Sequence, residues 1–205
     1  MTRFVLVRHG QTEWNREERF RGRADIPLNE TGLAQSAATG ARVAAEWRPA
    51  AVYSSPLSRA ARTAEAVARP HGLSVVTLAG LMDIDYGQWQ GLSPEEVRQK
   101  WPEELAAWFD TPQEARIPGG ETLDDLRLRA MSAVRDLADQ HAEQTLVLVG
   151  HTVVNRIILL AILGLGHDRF WRLRQEPCAL NVFEWDGADF VLVSLNDTCH
   201  LRELG

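Results

Sequence analysis

Cysteine is almost missing from this chain: Cys178 and Cys199 are the only two in 205 residues. That excludes a disulfide-stapled secreted scaffold and a thiolate metal cluster, and it makes a reducing cytoplasm the default compartment. Long hydrophobic runs are missing as well. The longest, Ile157 to Leu163, falls far short of the ~20 apolar residues that span a bilayer, so no membrane association is expected. Met1-Thr2-Arg3 leads straight into a strand-like segment without an apolar stretch or small-residue cleavage site, so a secretory leader is not expected. Positive charge is in deficit: Lys plus Arg is 22 against 28 Asp plus Glu, a formal net charge of −6. A nucleic-acid partner held by bulk positive charge is therefore not expected. No internal repeat or low-complexity tract occurs. No His-x-x-x-His spacing is found and neither His9 nor His151 has a cysteine nearby, which leaves no support for a bound metal.

What remains is an ordinary globular composition, 45% hydrophobic and 24% charged, at a length that fits one domain. Short β-rich segments alternate with longer helical ones. Phe4-Val5-Leu6-Val7 reads as a strand buried on both faces. Thr31 to Trp47 is an Ala-rich helix with Thr31 as its expected N-cap. Ala50 to Tyr53 is a second strand, Leu57 to Ala68 a helix, and Ser74 to Leu78 a third strand. Residues 81–121 break the rhythm. They hold Trp89, Trp101, Trp108 and four prolines, with short helices expected at Pro94–Lys100 and Pro102–Phe109. We read them as a helical insertion packed over one edge of the main domain and over the active site.

Thr122 to His141 is an amphipathic helix, with Thr122 and Asp125 at capping-box spacing. Thr145 to Val149 is the clearest strand, followed by an apolar helix from Val153 to Leu163. Asn181–Trp185 and Phe190–Leu195 flank Asp186-Gly187-Ala188-Asp189 as an antiparallel hairpin. Together these predict an α/β three-layer sandwich: a mainly parallel sheet with an antiparallel edge and helices on both faces.

In such a sheet ligands bind at the carboxyl ends of the parallel strands. There the sequence offers Arg8-His9-Gly10, Ser54-Ser55-Pro56-Leu57-Ser58-Arg59, Met82-Asp83-Ile84-Asp85 and Gly150-His151-Thr152. Two histidines, two arginines and at least one carboxylate should converge on one rim. Guanidinium groups offer a fixed fork of donors to a tetrahedral anion. A neutral imidazole is a competent nucleophile towards phosphorus, and a carboxylic acid can protonate a poor alkoxide leaving group. The chemistry suggested is phosphoryl transfer through a phosphohistidine, with arginines supplying the charge neutralisation that Mg²⁺ gives in kinases.

The run Leu6-Val7-Arg8-His9-Gly10-Gln11-Thr12-Glu13-Trp14-Asn15 resembles the signature of the histidine phosphatase superfamily, which includes the cofactor-dependent phosphoglycerate mutases. The likeness continues through Arg19-Phe20-Arg21-Gly22, Pro27 to Gly32, Ser54 to Ala64, Asp85 to Gly91, Gly119-Gly120-Glu121-Thr122 and Val149-Gly150-His151. It implies that His9 is the phosphorylated nucleophile and that Arg8, Arg59 and His151 hold the phosphoryl oxygens. Asn15 would help them, with Arg21 and Gly22 taking the rest of the substrate. The amide of Thr152 at a helix N-terminus adds a donor. The family's acid is usually a Glu at the position of Asp83, which is one methylene and ~1.5 Å shorter; Asp83 is the preferred donor here and Asp85 the alternative.

Among the other candidates, His71, His141 and His167 read as helix-end residues. His200, in Thr198-Cys199-His200, reads as closing the last edge, and Arg62 as a helix-face residue. The insertion's tryptophans read as packing, and the two cysteines as ordinary buried thiols. The resemblance admits hydrolysis or a mutase-type phosphoryl shift. Family mutases carry a fuller insertion and a basic residue in the stretch that here reads Asp83-Ile84-Asp85-Tyr86-Gly87, so a metal-independent, cofactor-free phosphatase of a small phosphorylated metabolite is the favoured reading. Metal-independent phosphoserine phosphatases and α-ribazole phosphatases are similar around Gly119-Gly120-Glu121 and Asn196 to His200. The former carry a His where this chain has Tyr86, which points away from phosphoserine. A phospho-ligand-binding regulator with little turnover is the reading from another class. A homodimer through an edge element is a family-level expectation.

Overall fold

Strand β1 (Thr2–Arg8) carries an unbroken apolar run because both of its faces are covered: Phe4, Val5, Leu6 and Val7 are all fully buried. Its neighbour β4 (Thr145–Gly150) is built the same way from Leu146 to Val149. The computed structural model, which describes residues 1–204, places these two strands side by side and parallel, with Arg8 opposite Gly150. Around them stand β2 (Ala51–Ser54), β3 (Val75–Thr77), β5 (Leu180–Trp185) and β6 (Phe190–Asp197), in the order β3-β2-β4-β1-β5-β6. β3, β2, β4 and β1 run parallel, while β5 pairs antiparallel with both β1 and β6. The mainly parallel sheet with an antiparallel edge is as the alternation of segments implied.

Period-two alternation sends the strand residues into two separate cores. Val5, Val7, Val147 and Val149 meet α2 (Glu30–Glu46) and α3 (Ser58–Ala68) through Val43, Ala60, Ala64 and Val67. Phe4, Leu6, Leu146 and Leu148 meet α6 (Leu123–Gln140) and α7 (Thr152–Ile162) on the other face. Three layers result. The helix after β1 thus turns to one face and the helix after β4 to the other, so a crevice opens between the carboxyl ends of two adjacent strands.

Segment 81–121 holds α4 (Pro94–Lys100) and α5 (Pro102–Asp110), each opened by its proline. Trp89, Val97, Leu105 and Trp108 pack into the same core cluster as Phe4 and Leu6. No helix among the described residues is long and apolar enough to cross a membrane.

Most boundaries differ from the sequence expectations by one or two residues. The N-cap of α2 is a larger difference: it is Asn29, not Thr31, and its side chain accepts from the Gly32 amide. Asn is at least as good a cap as Thr, and the helix starts two residues earlier, where it can be used. The capping box of Thr122 with Asp125 is present. A single-turn α1 (Glu13–Arg16) was not anticipated; four residues carry too little periodicity to be read.

Gly32 is the contact point between α2 and the loop that follows β1. A Cβ there would lie 2.1 Å from the Gln11 carbonyl oxygen and 2.8 Å from the Gln11 nitrogen. Helix propensity alone favours Ala over Gly by ~1 kcal/mol. The clash reverses the sign, so Gly32→Ala should destabilise the protein by about 1–3 kcal/mol, read as a lower urea midpoint; a stabilised variant would contradict this packing.

Candidate active site

Because β1 and β4 are in register, the residues that follow them arrive at the same height. The His9 amide donates to the Gly150 carbonyl at 3.0 Å, and the rings of His9 and His151 stand 5.0 Å apart, centroid to centroid. His9 is 1% exposed. Its Nδ1 lies 2.6 Å from the Gly10 carbonyl oxygen; a carbonyl only accepts, so Nδ1 carries the proton and Nε2 keeps its lone pair. Burial pushes the His9 pKa well below the ordinary histidine value, reinforced by His151, Arg59 and Arg8. His9 is therefore a neutral imidazole, with Nε2 unprotonated.

Arg59, on the first turn of α3, is fully buried. It donates from Nε to His151 Nδ1 at 3.2 Å, from Nη1 to the Ala24 carbonyl at 2.6 Å and from Nη2 to the Gly22 carbonyl at 2.8 Å. One N–H on each Nη is left over. Gly22 is needed for this clamp: it sits at φ +48, and a Cβ there would press on Ile84 and Tyr86 at 3.0 and 3.1 Å. His151 Nδ1 accepts from Arg59, so its Nε2 carries the proton and donates to Ser55 Oγ at 2.7 Å. Both ring nitrogens of His151 are thus spent on protein groups, and in this geometry it positions Arg59. Burial, then Arg59 and Arg21, lower its pKa far below the usual value.

A cavity of about 440 Å³ opens next to these buried groups, lined by their chain neighbours Arg8 and Thr152 together with Asn15, Arg21 and Asp83 among others. Arg8 Nη1 donates to the Gln175 carbonyl, and burial, then Arg21, pull the Arg8 pKa down to about 9. Arg59 falls to about 10, chiefly through burial. Both remain cationic at neutral pH. Asn15 uses its Oδ1 to accept from the Thr12 amide and hydroxyl at 2.9 Å each, which turns its amide nitrogen outward as a donor. Arg21 reaches the Trp14 carbonyl through Nη1 at 3.0 Å. The orphaned donors point to an anion: Arg8 Nε, Arg21 Nε and Thr152 Oγ1 are buried without a hydrogen-bond partner on residues that line this one cavity, where Asp83 Oδ1 is unpartnered as well.

The two carboxylates of the 83–85 loop fall into different environments. Asp83 is 4% exposed, and burial raises its pKa against the pull of Arg59, Arg21 and Arg8. Asp85 is instead part of the scaffold. It pairs with Arg23 at 3.1 Å and accepts from the Gly87 amide at 2.8 Å. Arg129, on α6, holds the loop itself by donating to the carbonyls of Gly80, Met82 and Asp83 while paired with Glu121. Arg129, Gln175 and Ser55 had no expected part in the site. The signal for Arg129 was a charged residue beside the apolar face of an amphipathic helix, and nothing in the sequence says which loop it meets.

Other candidates lie elsewhere. His200 bonds Thr39 Oγ1 at 3.1 Å, and His141 bonds Tyr53 and Gln144. His167 is buried, 3.4 Å from Asp124, rather than a solvated helix-end residue. Arg62 pairs with Glu65 on an exposed face. Cys178 is buried, but Cys199 is only half-buried and accepts from Arg42 at 2.8 Å. Among the described residues no group of three or more His, Cys, Asp or Glu side chains could hold a metal ion; the donors facing the cavity are guanidinium, amide and hydroxyl.

The fold and this anion-seeking cavity agree with the family comparison: the model of the histidine phosphatase superfamily (branch 1) matches residues 4–198, and the chain belongs to that superfamily. Within it the protein is a phosphomonoester hydrolase. It is 34% identical over 203 residues to phosphoserine phosphatase 1 of Hydrogenobacter thermophilus, covering 99% of this chain and 96% of that one. Identity is 35% over 207 residues to a metal-independent phosphoserine phosphatase of Arabidopsis thaliana, covering 100% of this chain and 85% of the relative. Among solved structures, Bacillus stearothermophilus YhfR superposes with a TM-score of 0.94 at 30% identity, covering 98% of this chain and 100% of that one. A phosphoserine phosphatase mutant from Entamoeba histolytica in complex with phosphoserine gives 0.88 at 25% identity, covering 98% and 100%.

The buried neutral histidines make a stability prediction. Unfolded, His9 and His151 titrate near pH 6.5; folded, both are depressed. The unfolded chain binds more protons below that value, so their stabilisation is fully present above about pH 6.5 and is lost as pH falls through it. Asp83, with its raised pKa, acts oppositely: its stability is fully present below the ordinary carboxylate value and is lost as pH rises from there through its raised folded value. Urea midpoints should therefore decline from pH 7.5 to 5.5, and His9→Asn should flatten the decline. An unchanged slope would contradict the neutral, buried state of that ring.

Proposed function

We propose that the protein hydrolyses a small organic phosphate monoester through a phosphohistidine at His9, without a metal. The observation that carries this is the state of His9: a neutral imidazole with Nδ1 tied to the Gly10 carbonyl, directly following Arg8 in the chain, which lines a cavity whose orphaned donors suit one anion. Arg8, Arg21, the two remaining N–H groups of Arg59, the Asn15 amide and the Thr152 amide and hydroxyl bind the phosphoryl oxygens. Thr152 is the first residue of α7, so the helix dipole adds to its backbone donor. The Nε2 lone pair of His9 attacks phosphorus in line with the ester oxygen. The P–O bond breaks, and the departing oxygen takes the proton of the Asp83 carboxyl, which burial keeps available. The Asp83 carboxylate then removes a proton from water, whose oxygen attacks phosphorus. Inorganic phosphate leaves and Nε2 regains its lone pair.

Asp83 takes the acid role because Asp85 is committed to Arg23 and the Gly87 amide. His151 holds Arg59 in the productive orientation beside the nucleophile. Arginine donors do the work of a cation here, in keeping with the relative named metal-independent. The two free cysteines accord with work in a reducing cytoplasm.

Two measurements test the scheme. Rapid quenching during turnover of p-nitrophenyl phosphate, with EDTA present, should trap an acid-labile phosphoryl adduct on His9. His9→Ala should form none and lose activity by at least about 10³-fold while keeping the same circular dichroism; comparable turnover in that variant would falsify the assignment. Asp83→Asn should slow alkyl phosphates about 10²- to 10⁴-fold and aryl phosphates, whose leaving group needs no proton, far less. Equal losses on both would make Asp83 a structural residue.

A further inference from the structure

The residues assigned to the phosphoryl group, Arg8, Asn15, Arg21, Asp83 and Thr152, make up only part of the cavity lining. Much of the remaining lining is aromatic, Phe20, Tyr86, Trp108, Phe109, Phe170 and Trp171, with Arg156 set among them and Arg19 and Arg174 also present. Arg156 is one turn along α7 from Thr152, so the two share a helix face ~6 Å apart. Its Cζ lies 5.1 Å from the Phe170 ring centroid and 5.0 Å from that of Trp171. Trp171 is fixed in turn by its indole N–H, which donates to the Trp108 carbonyl at 2.9 Å.

Aromatic faces attract a guanidinium through its charge and leave its in-plane N–H groups unspent. That is the condition of Arg156. Its Nε is buried without a hydrogen-bond partner, and the groups that act on its charge, Tyr86, Glu176 and Asp83, do so from a distance. A cation taken out of water and denied a carboxylate is costly unless something else supplies one. The expected basic grip for a second anionic group is absent from Asp83 to Gly87, as the sequence implied, but the fold supplies one from α7.

Building on the phosphatase reading above, we propose that Arg156 is a specificity-determining residue: it binds a carboxylate on the substrate, so that esters carrying one are preferred to similar esters that lack it. A planar carboxylate matches the unspent fork of donors. At ~1.5 Å per bond, a three-carbon skeleton spans the distance from the phosphoryl site to one helical turn further along α7. Two structural relatives are described with ligands of this type, phosphoserine and 3-phosphoglyceric acid; Tyr86 in place of a loop histidine pointed away from phosphoserine, and Arg156, in the same cavity lining, supplies a carboxylate grip that does not need that histidine.

The test is a ratio. For the native protein, kcat/KM is measured on O-phosphoserine and 3-phosphoglycerate, and on glycerol 3-phosphate and phosphoethanolamine, which lack the carboxylate. The first pair should be preferred. In Arg156→Met, which keeps apolar bulk between the rings, that preference should fall about 10- to 100-fold, and Arg156→Lys should restore part of it as higher KM rather than lower kcat. A native enzyme that cleaves all four esters equally, or a Met variant whose preference is unchanged, overturns the inference while leaving the phosphatase reading intact. Failure of the native protein to cleave any ester, p-nitrophenyl phosphate included, strikes that reading itself. Proportional loss on all four esters assigns Arg156 to packing.

Discussion

The in-register parallel pairing of β1 with β4 sets the distances on which the chemistry depends. Arg8 lies opposite Gly150, so His9 and His151 are each the first residue past a strand end, at one level, with the His9 amide bonded across to Gly150. Each strand is locked on both faces by apolar packing, and a one-residue slip would turn every core side chain to the wrong layer. Two cores therefore hold the two rings 5.0 Å apart more firmly than any contact between the rings could. The opposite departure of α2 and α7 then leaves room above the rings for a ligand.

The second constraint is electrostatic. Arg8, Arg59, His9 and His151 are buried within a few residues of the strand ends, and among the described residues Asp83 is the one buried carboxylate side chain. Burial alone would discharge such a cluster, and the depressed pKa values of both arginines and both histidines record that pressure. The histidines yield and become neutral, which suits a nucleophile and a positioning group. The arginines keep their charge because their intrinsic pKa is so high, and protein carbonyls take part of their donor capacity. The surplus positive potential suits an anionic ligand and opposes burial of the cluster, an exchange of stability for function of the kind expected at active sites.

Scaffold residues hold the loop on which an aspartate stands where the family resemblance implies a glutamate. Arg129 grips three carbonyls of the 80–83 loop and is itself anchored by Glu121, while Glu121 also accepts from the Asp85 amide. The loop's path is thereby dictated from α6 and from the 119–122 turn, so the backbone can bring the shorter side chain to the cavity wall. Asp83 and Asp85 are two residues apart in one motif, yet one is buried with an unpartnered oxygen and the other is paired with Arg23.

By itself the amino-acid order determined the layered sheet, through apolar runs such as Phe4–Val7 and Leu146–Val149 that only doubly covered strands tolerate. It also placed Arg8, His9, Arg59 and His151 at strand ends, because turn residues follow each run directly. Tertiary structure alone decided which strand lies next to which, and so which loops meet. It decided that Asn29 rather than Thr31 caps α2, that Asp83 is dry while Asp85 is paired, that both nitrogens of His151 are engaged, and that Arg156 faces the cavity between two rings. Those outcomes depend on contacts between residues far apart in the chain. Local propensity and periodicity act over a few residues, whereas burial, desolvation and hydrogen-bond partnership belong to the packed whole.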